Sequence, residues 1–346
     1  MNIKSVLIIA ILPIVIVGTL LGRSEIMNRR PNGFQRTSSY GILLPDFSDK
    51  TTTRLKAIAG LTPSSIYFST FSPGQILITD FSGKQIAAYK LKVDSLGFQN
   101  TFVDSPFAYI VGGNTPAVFK CDLRSLAIDK KLIPGPILTR ASLLYNDRFM
   151  FRQFKNGIRD QVFTNYDFNS NTLTGSRRLF ASYRDGGVVT DGMLNYDQTS
   201  KMCAYVYYHK GGFELLDTNL NFKGSVNTID TFHHFQNTAA QSSPNHLYVS
   251  FTSAQPPKIV NRASCLANGR LYIYSEVKAD NEPQLLTGDS MPIDIYDAKQ
   301  GKYQGSFYLP KISGETIFSF TVTGNKLIAI YKTRVAYFTI PAIPLS

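Results

Sequence analysis

Between residues 55 and 340, short runs of alternating apolar and polar positions recur, each cut off by Gly, Asn, Asp or Pro. Alternation with a period of two turns one face of an extended chain inward and the other outward, so this whole stretch predicts β-strands joined by turns. Five segments share one shape: an apolar strand ending near Asp, a polar turn, then a second strand. They are ILITDFSGKQIAAYKL at 76–91, VFKCDLRSLAIDKKL at 118–132, VFTNYDFNSNTLTGSRRLF at 162–180, FELLDTNLNFKGSVNTI at 213–229 and IDIYDAKQGKYQGSFYL at 293–309. The marker residues Asp80, Asp122, Asp167, Asp217 and Asp297 are spaced by 42, 45, 50 and 80 positions.

Two further strands precede these units. The clearest are TRASLLYNDRFMFRQF at 139–154 and NRASCLANGRLYIYSE at 261–276, which read almost alike 122 residues apart. Each is a hairpin, with Asn146-Asp147 and Asn268-Gly269 supplying the turn chemistry. Four strands in a repeat of this length make a β-propeller blade, and these two hairpins are the inner strands of two blades. The fold class expected is all-β: a propeller of four-stranded antiparallel blades, six by count, with seven left open by the 80-residue gap after Asp217.

The last unit, residues 316–340, shows three strands before the chain ends. A closed ring must cover that edge, and SSYGILLPDF at 38–47 is expected to supply the missing strand. Residues 231–258 hold one strong strand, HLYVSFT, which favours a long excursion between blades over a degenerate seventh one.

Ahead of the propeller, SVLIIAILPIVIVGTLLG at 5–22 is eighteen residues without a charge. That length is near the lower limit for crossing a bilayer, and Pro13 is tolerable in a membrane helix. The apolar core is longer than most secretory signals carry and no clean small-residue cleavage site follows, so an uncleaved signal anchor over 1–23 is expected, with a linker over 24–37 and the propeller over 38–346. Arg23, Arg29, Arg30 and Arg36 after the helix would favour a cytoplasmic domain, but large domains cross largely regardless of flanking charge. The propeller is therefore placed outside the cytoplasm, the partner of the first segment being the membrane.

The formal charge of +12 points to acidic partners. With no dense Lys/Arg tract and no nucleic-acid motif, nucleic acid is not among the partners expected. Three cysteines (Cys121, Cys203, Cys265) lie in apolar runs without C-x-x-C spacing and read as small buried hydrophobes. The absence of Trp argues against repeats whose signature needs it.

The whole propeller segment resembles the six-bladed TolB-like and NHL-like propellers of exported bacterial proteins. It is similar, more narrowly, to an uncharacterised exported group with an N-terminal membrane helix. Asn32-Gly33-Phe34 after the helix, PPKIVNRA at 256–263 and IDIYDAKQGKYQGSFYLPKISG at 293–314 carry the likeness. It implies an exported, membrane-tethered propeller and brings no catalytic residue with it; the localisation expected is the bacterial inner membrane, with one span and the propeller in the periplasm.

In a propeller, the loops entering each inner strand and those joining the second and third strands share one face. There the sequence places Lys155, Arg159, Arg184, Lys210 and Arg334 as candidate ligands of an anion. Arg140 and Arg262 recur at one blade position, where five donors want carboxylates, a ligand or backbone carbonyls. No catalytic residue, metal site or cofactor is assigned: nucleophile motifs are missing, and His209, His233, His234 and His246 lack ligand spacing. The function expected is a membrane-tethered binding or interaction module for an anionic ligand or an envelope protein. The alternative is an exported metal-dependent hydrolase of the lactonase kind.

Overall fold

The computed structural model describes residues 12–13, 15–20, 31–93, 99–135, 137–155, 158–180, 187–234, 239–242, 249–252, 258–282 and 288–342; at 39, 155, 158–160, 239–242 and 249–252 only the backbone is described. Six sheets stand around a central channel. Blade one comprises Leu55–Leu61, Ile66–Thr70, Gln75–Thr79 and Gln85–Lys90, counted from the channel outward. Blades two, three and four repeat the plan over 99–132, 138–177 and 192–226. Blade five adds Asn261–Ala267, Arg270–Ser275, Ser290–Asp297 and Tyr303–Pro310, and blade six Ser319–Thr323, Lys326–Ile330 and Arg334–Thr339.

Burial follows position in the blade. Second strands such as Ile66–Thr70 and Met202–Tyr207 are covered on both sides by neighbouring blades, whereas the outer Gln85–Lys90 is mostly exposed. That sandwiching explains why second strands read as near-continuous apolar runs and fourth strands as polar ones. The core is six interblade clusters. Phe68 and Ile66 of blade one, for instance, pack on Ile328 and Tyr337 of blade six, and each other neighbouring pair has its own cluster, so the ring is closed.

The repeated aspartates have a local cause. Each ends a third strand and accepts backbone N–H groups of the turn that follows: Asp80 from Ser82 and Lys84, Asp122 from Arg124, Asp167 from Ser170, Asp217 from Asn219 and Asn221, Asp297 from Lys299 and Gln300. These are Asx turns, which satisfy donors a tight turn would leave unpaired. They all lie on one face, called lower here; the upper face is where the innermost strands begin.

Closure differs from expectation. The strand that completes blade six is Phe47–Lys50, antiparallel to Arg334–Thr339, with Phe47 stacked on Tyr337 at 4.1 Å between centroids. Asp46 accepts Lys326 Nζ at 2.9 Å and the Thr339 hydroxyl at 2.7 Å, where a covalent turn would sit in the other blades. Ser38–Ile42, expected to close the ring as well, instead runs parallel to Tyr303–Pro310 as a fifth strand of blade five. Both edges needed cover, and the segment is long enough to serve both. No seventh blade forms: among the described residues the 231–258 stretch contributes one two-stranded hairpin, 239–242 with 249–252.

The N-terminal segment is tied down by Arg36, 2% exposed. Its guanidinium donates Nε and Nη2 to the two oxygens of Asp294 at 2.8 and 3.1 Å. Nη1 reaches Glu282 at 2.6 Å and the Val277 carbonyl at 2.9 Å. Phe34 packs with Val260, Val277 and Ala279 beside it. Most of the expected span at 1–23 lies outside the described residues. Residues 15–20 are helical with exposed apolar side chains, and no described helix is long and apolar enough to cross a membrane.

Candidate binding surface at the channel mouth

The two hairpins that read alike differ in register. Asn268-Gly269 is a two-residue turn, Ala267 pairing with Arg270, while in blade three Leu143 pairs with Phe149 around a longer turn. All four turn residues have positive φ: 49° and 62° at Asn146 and Asp147, 53° and 72° at Asn268 and Gly269. A bulge near the upper end of each inner strand then falls at Thr139 in one blade and at Arg262 in the other. A one-residue shift re-aims the side chains that follow, so the recurring arginines make different contacts.

Arg140 joins blades three and four. It donates to the carbonyls of Gly192 and Thr139 and to Asp191 Oδ2, each at 2.6 Å, and lies 5.6 Å from the Tyr208 ring centroid. Asp191 also receives the buried Arg152 at 3.1 Å. Burial pushes the Tyr208 hydroxyl up in pKa, with Arg140 opposing and Asp191 adding. Arg262 is instead 42% exposed and pairs through Nε with Glu276 of its own blade.

Lys155 and Arg159 flank the turn between the second and third strands of blade three, on the upper face by backbone position. Arg184 lies outside the described residues. Lys210 sits in the corresponding turn of blade four, its ammonium 4.6 Å from the Tyr207 ring centroid; burial lowers its pKa and Glu214 partly offsets this. Arg334, at the same turn of blade six, donates to the Ser313 hydroxyl at 3.1 Å. The residues described are thus on one face but spread over three blades.

What converges at the mouth is a different set. A cavity of about 620 Å³, within the usual size of ligand pockets, is lined by Arg54, Phe71, Ile259, Arg262, Phe318 and Lys332 together with Tyr208 and Glu315. A smaller one of about 290 Å³ adjoins it, lined by Glu276, Lys278, Tyr274 and Lys311, and Arg262 borders both. Phe71 and Phe318 are 44% and 51% exposed, 5.8 Å apart between centroids, and the Arg54 guanidinium lies 4.4 Å over Phe71. Ile137, Val188 and Ile259, also exposed, stand just before the inner strands of blades three, four and five, as Phe318 does in blade six. Nearby, Glu315 accepts the amide and hydroxyl of Thr333; with Lys332 and Arg334 they outweigh its burial and lower its pKa.

Arg54 and Phe71 escaped sequence reasoning because an aromatic in a turn is indistinguishable from one that folds inward. Their signal was position alone: the loops of the upper face. On the lower face four carboxylates are ion-paired, Asp122 by Arg124, Asp167 by Arg148, Asp217 by Lys223 and Asp147 by Lys120. The cations that line the cavity, Arg54, Arg262 and Lys332, favour an anion at the mouth. Among the described residues, no three His, Cys, Asp or Glu side chains are grouped to hold a metal ion. His209 and His233 are each engaged with a backbone carbonyl, of Lys258 and Thr228.

The sequence matches no protein-family model and no curated protein. Solved structures do match. A catalytically inactive virginiamycin B lyase from Staphylococcus aureus with quinupristin is similar at a TM-score of 0.51 and 8% identity, over 85% of this chain and 98% of that one. A streptogramin B lyase gives 0.51 and 9%, over 85% and 97%. BamB from Moraxella catarrhalis gives 0.46 and 12%, over 88% and 99%. The lyase likeness supports the propeller fold and nothing about chemistry.

Proposed function

We propose that the protein is a membrane-tethered, extracytoplasmic interaction propeller whose channel mouth binds an anionic partner. The observation that carries this reading is the mouth itself, where exposed cations (Arg54, Lys332, Arg262) and exposed apolar side chains (Phe71, Phe318, Ile259) line one cavity together. Cations supply attraction and on-rate, and the apolar side chains supply the desolvated contact that makes an encounter last. The uncharged stretch at 5–22 supports the tether, and the large domain beyond it the extracytoplasmic side.

Two experiments test it. The full chain should be retained on immobilised polyglutamate, with retention lost in R54E/K332E and kept in R124E, a charge reversal on the lower face. Equal retention by all three would sink the mouth as the binding surface. A reporter fused at the carboxyl end should be active outside the cytoplasm, with the chain in the membrane fraction; a cytoplasmic signal would overturn the placement.

A further inference from the structure

We infer that the upper face rests against the bilayer that anchors the chain, its partner being a membrane surface bearing anionic headgroups. This deepens the reading above and rests on the anchor proposed there. Three independent observations point the same way.

The first is where the tether leaves. Asn32 and Gly33 are held to the loop between the second and third strands of blade five: the Asn32 and Gly33 amides donate to the Asp280 carboxylate at 2.6 and 2.8 Å, and the Asn32 side chain donates to the Lys278 carbonyl at 2.8 Å. That loop is on the upper face, so the chain emerges there. Only residues 21–30 separate Pro31 from the helical residues 15–20. Fully extended, such a linker reaches at most about 35 Å. The upper face is the one the linker presents to the membrane; turning the lower face inward would require it to run the height of a blade as well.

The second is the distribution of exposed apolar side chains. Phe71, Ile137, Val188, Ile259 and Phe318 belong to five different blades and share the upper face. Three of them line the cavity, and Ile137 and Val188 extend the exposed apolar set beyond it to blades three and four. Such a spread exceeds what one small ligand needs and suits a broad, soft surface that admits aromatic and aliphatic groups at headgroup depth.

The third is charge. Arg54, Lys278 and Lys332 are exposed on this face and line its two cavities, and none of them is in a salt bridge among the described residues. A juxtamembrane basic surface is drawn to anionic lipid, and the attraction fades within a Debye length, so a short tether is what makes it effective.

The chain contains no Trp, so each substitution to Trp is a sole reporter. Full-length F71W, F318W and F222W would be reconstituted in nanodiscs with and without phosphatidylserine, using brominated acyl chains as quenchers; Phe222 is exposed at the lower end of blade four. Expected is a blue shift and at least about a two-fold loss of emission for F71W and F318W when phosphatidylserine is present, with F222W unchanged. Adding K332E and R54E to F318W should abolish the dependence on phosphatidylserine. Incorporation into discs without quenching at Phe71 and Phe318, or with quenching at Phe222 instead, overturns the proposal while leaving the anchor standing. Failure to incorporate at all overturns the anchor and the proposal together, and retention on polyglutamate without lipid quenching assigns the mouth to an acidic polypeptide.

Discussion

Replacing Arg36 by Ala removes four hydrogen bonds from a site sealed off from water. Asp294 and Glu282, 2% and 8% exposed, stay behind. Asp294 retains the Ser306 hydroxyl at 2.6 Å, and Glu282 retains the Tyr308 hydroxyl and the Ala279 amide, both at 3.0 Å. Breaking a buried pair by removing one partner costs about 3–5 kcal/mol, and the donors that remain place this case near 3–4 kcal/mol. In a chain of this size that is a fall in Tm of roughly 5–10 °C. The loss should also be local first: residues 31–50 would release blade five's fifth strand and blade six's fourth, so limited proteolysis should cut there before anywhere else in the ring. Arg36→Lys should fall between the two, because an ammonium cannot bridge both oxygens of Asp294 and reach Glu282 as well. An R36A protein melting within about 2 °C of the parent, and no more open to protease at 31–50, would refute this account and leave Phe34 as the anchor.

Acid sensitivity has one clear contributor in Asp217, whose pKa is lowered to about 2: burial pushes it up, but Asn221, Lys223 and Asn219 outweigh that. A pKa below the unfolded value means stabilisation that is full above about pH 4 and lost as pH falls through the folded value. The urea midpoint of D217N should therefore trail the parent at pH 6 and converge with it near pH 2; a constant gap contradicts the assignment. Gly60→Ala should cost about 1–3 kcal/mol in the same assay, because its Cβ would lie 2.2 Å from the Val103 carbonyl oxygen between blades one and two. Gly269→Ala, with nothing within 4 Å but φ +72°, should cost only about 1 kcal/mol. Cys121, Cys203 and Cys265 are buried, and burial raises the pKa of each thiol, so an aromatic disulfide reagent should label none until the chain unfolds.

Blade count and strand order were legible in the sequence because each blade is written locally: alternation for the strands, Asp for the turn that follows the third, Asn with Asp or Gly for the inner hairpin. Asp80 and its four counterparts act within four residues of themselves, so no tertiary information was needed to see them. The closing strand was legible only as a need. That Phe47–Lys50 meets it while Ser38–Ile42 goes elsewhere depends on Arg36 finding two carboxylates some 250 residues away. The binding surface was the least legible part. Arg140 and Arg262 look equivalent in sequence, yet a one-residue difference in their hairpins commits the first to a blade interface and leaves the second at the mouth. Phe71, Ile259 and Phe318 could not be told from core residues, because strand alternation says which side chains share a face and not whether another blade covers it. Exposure is a property of the assembled ring, decided by what packs on each face once it has closed.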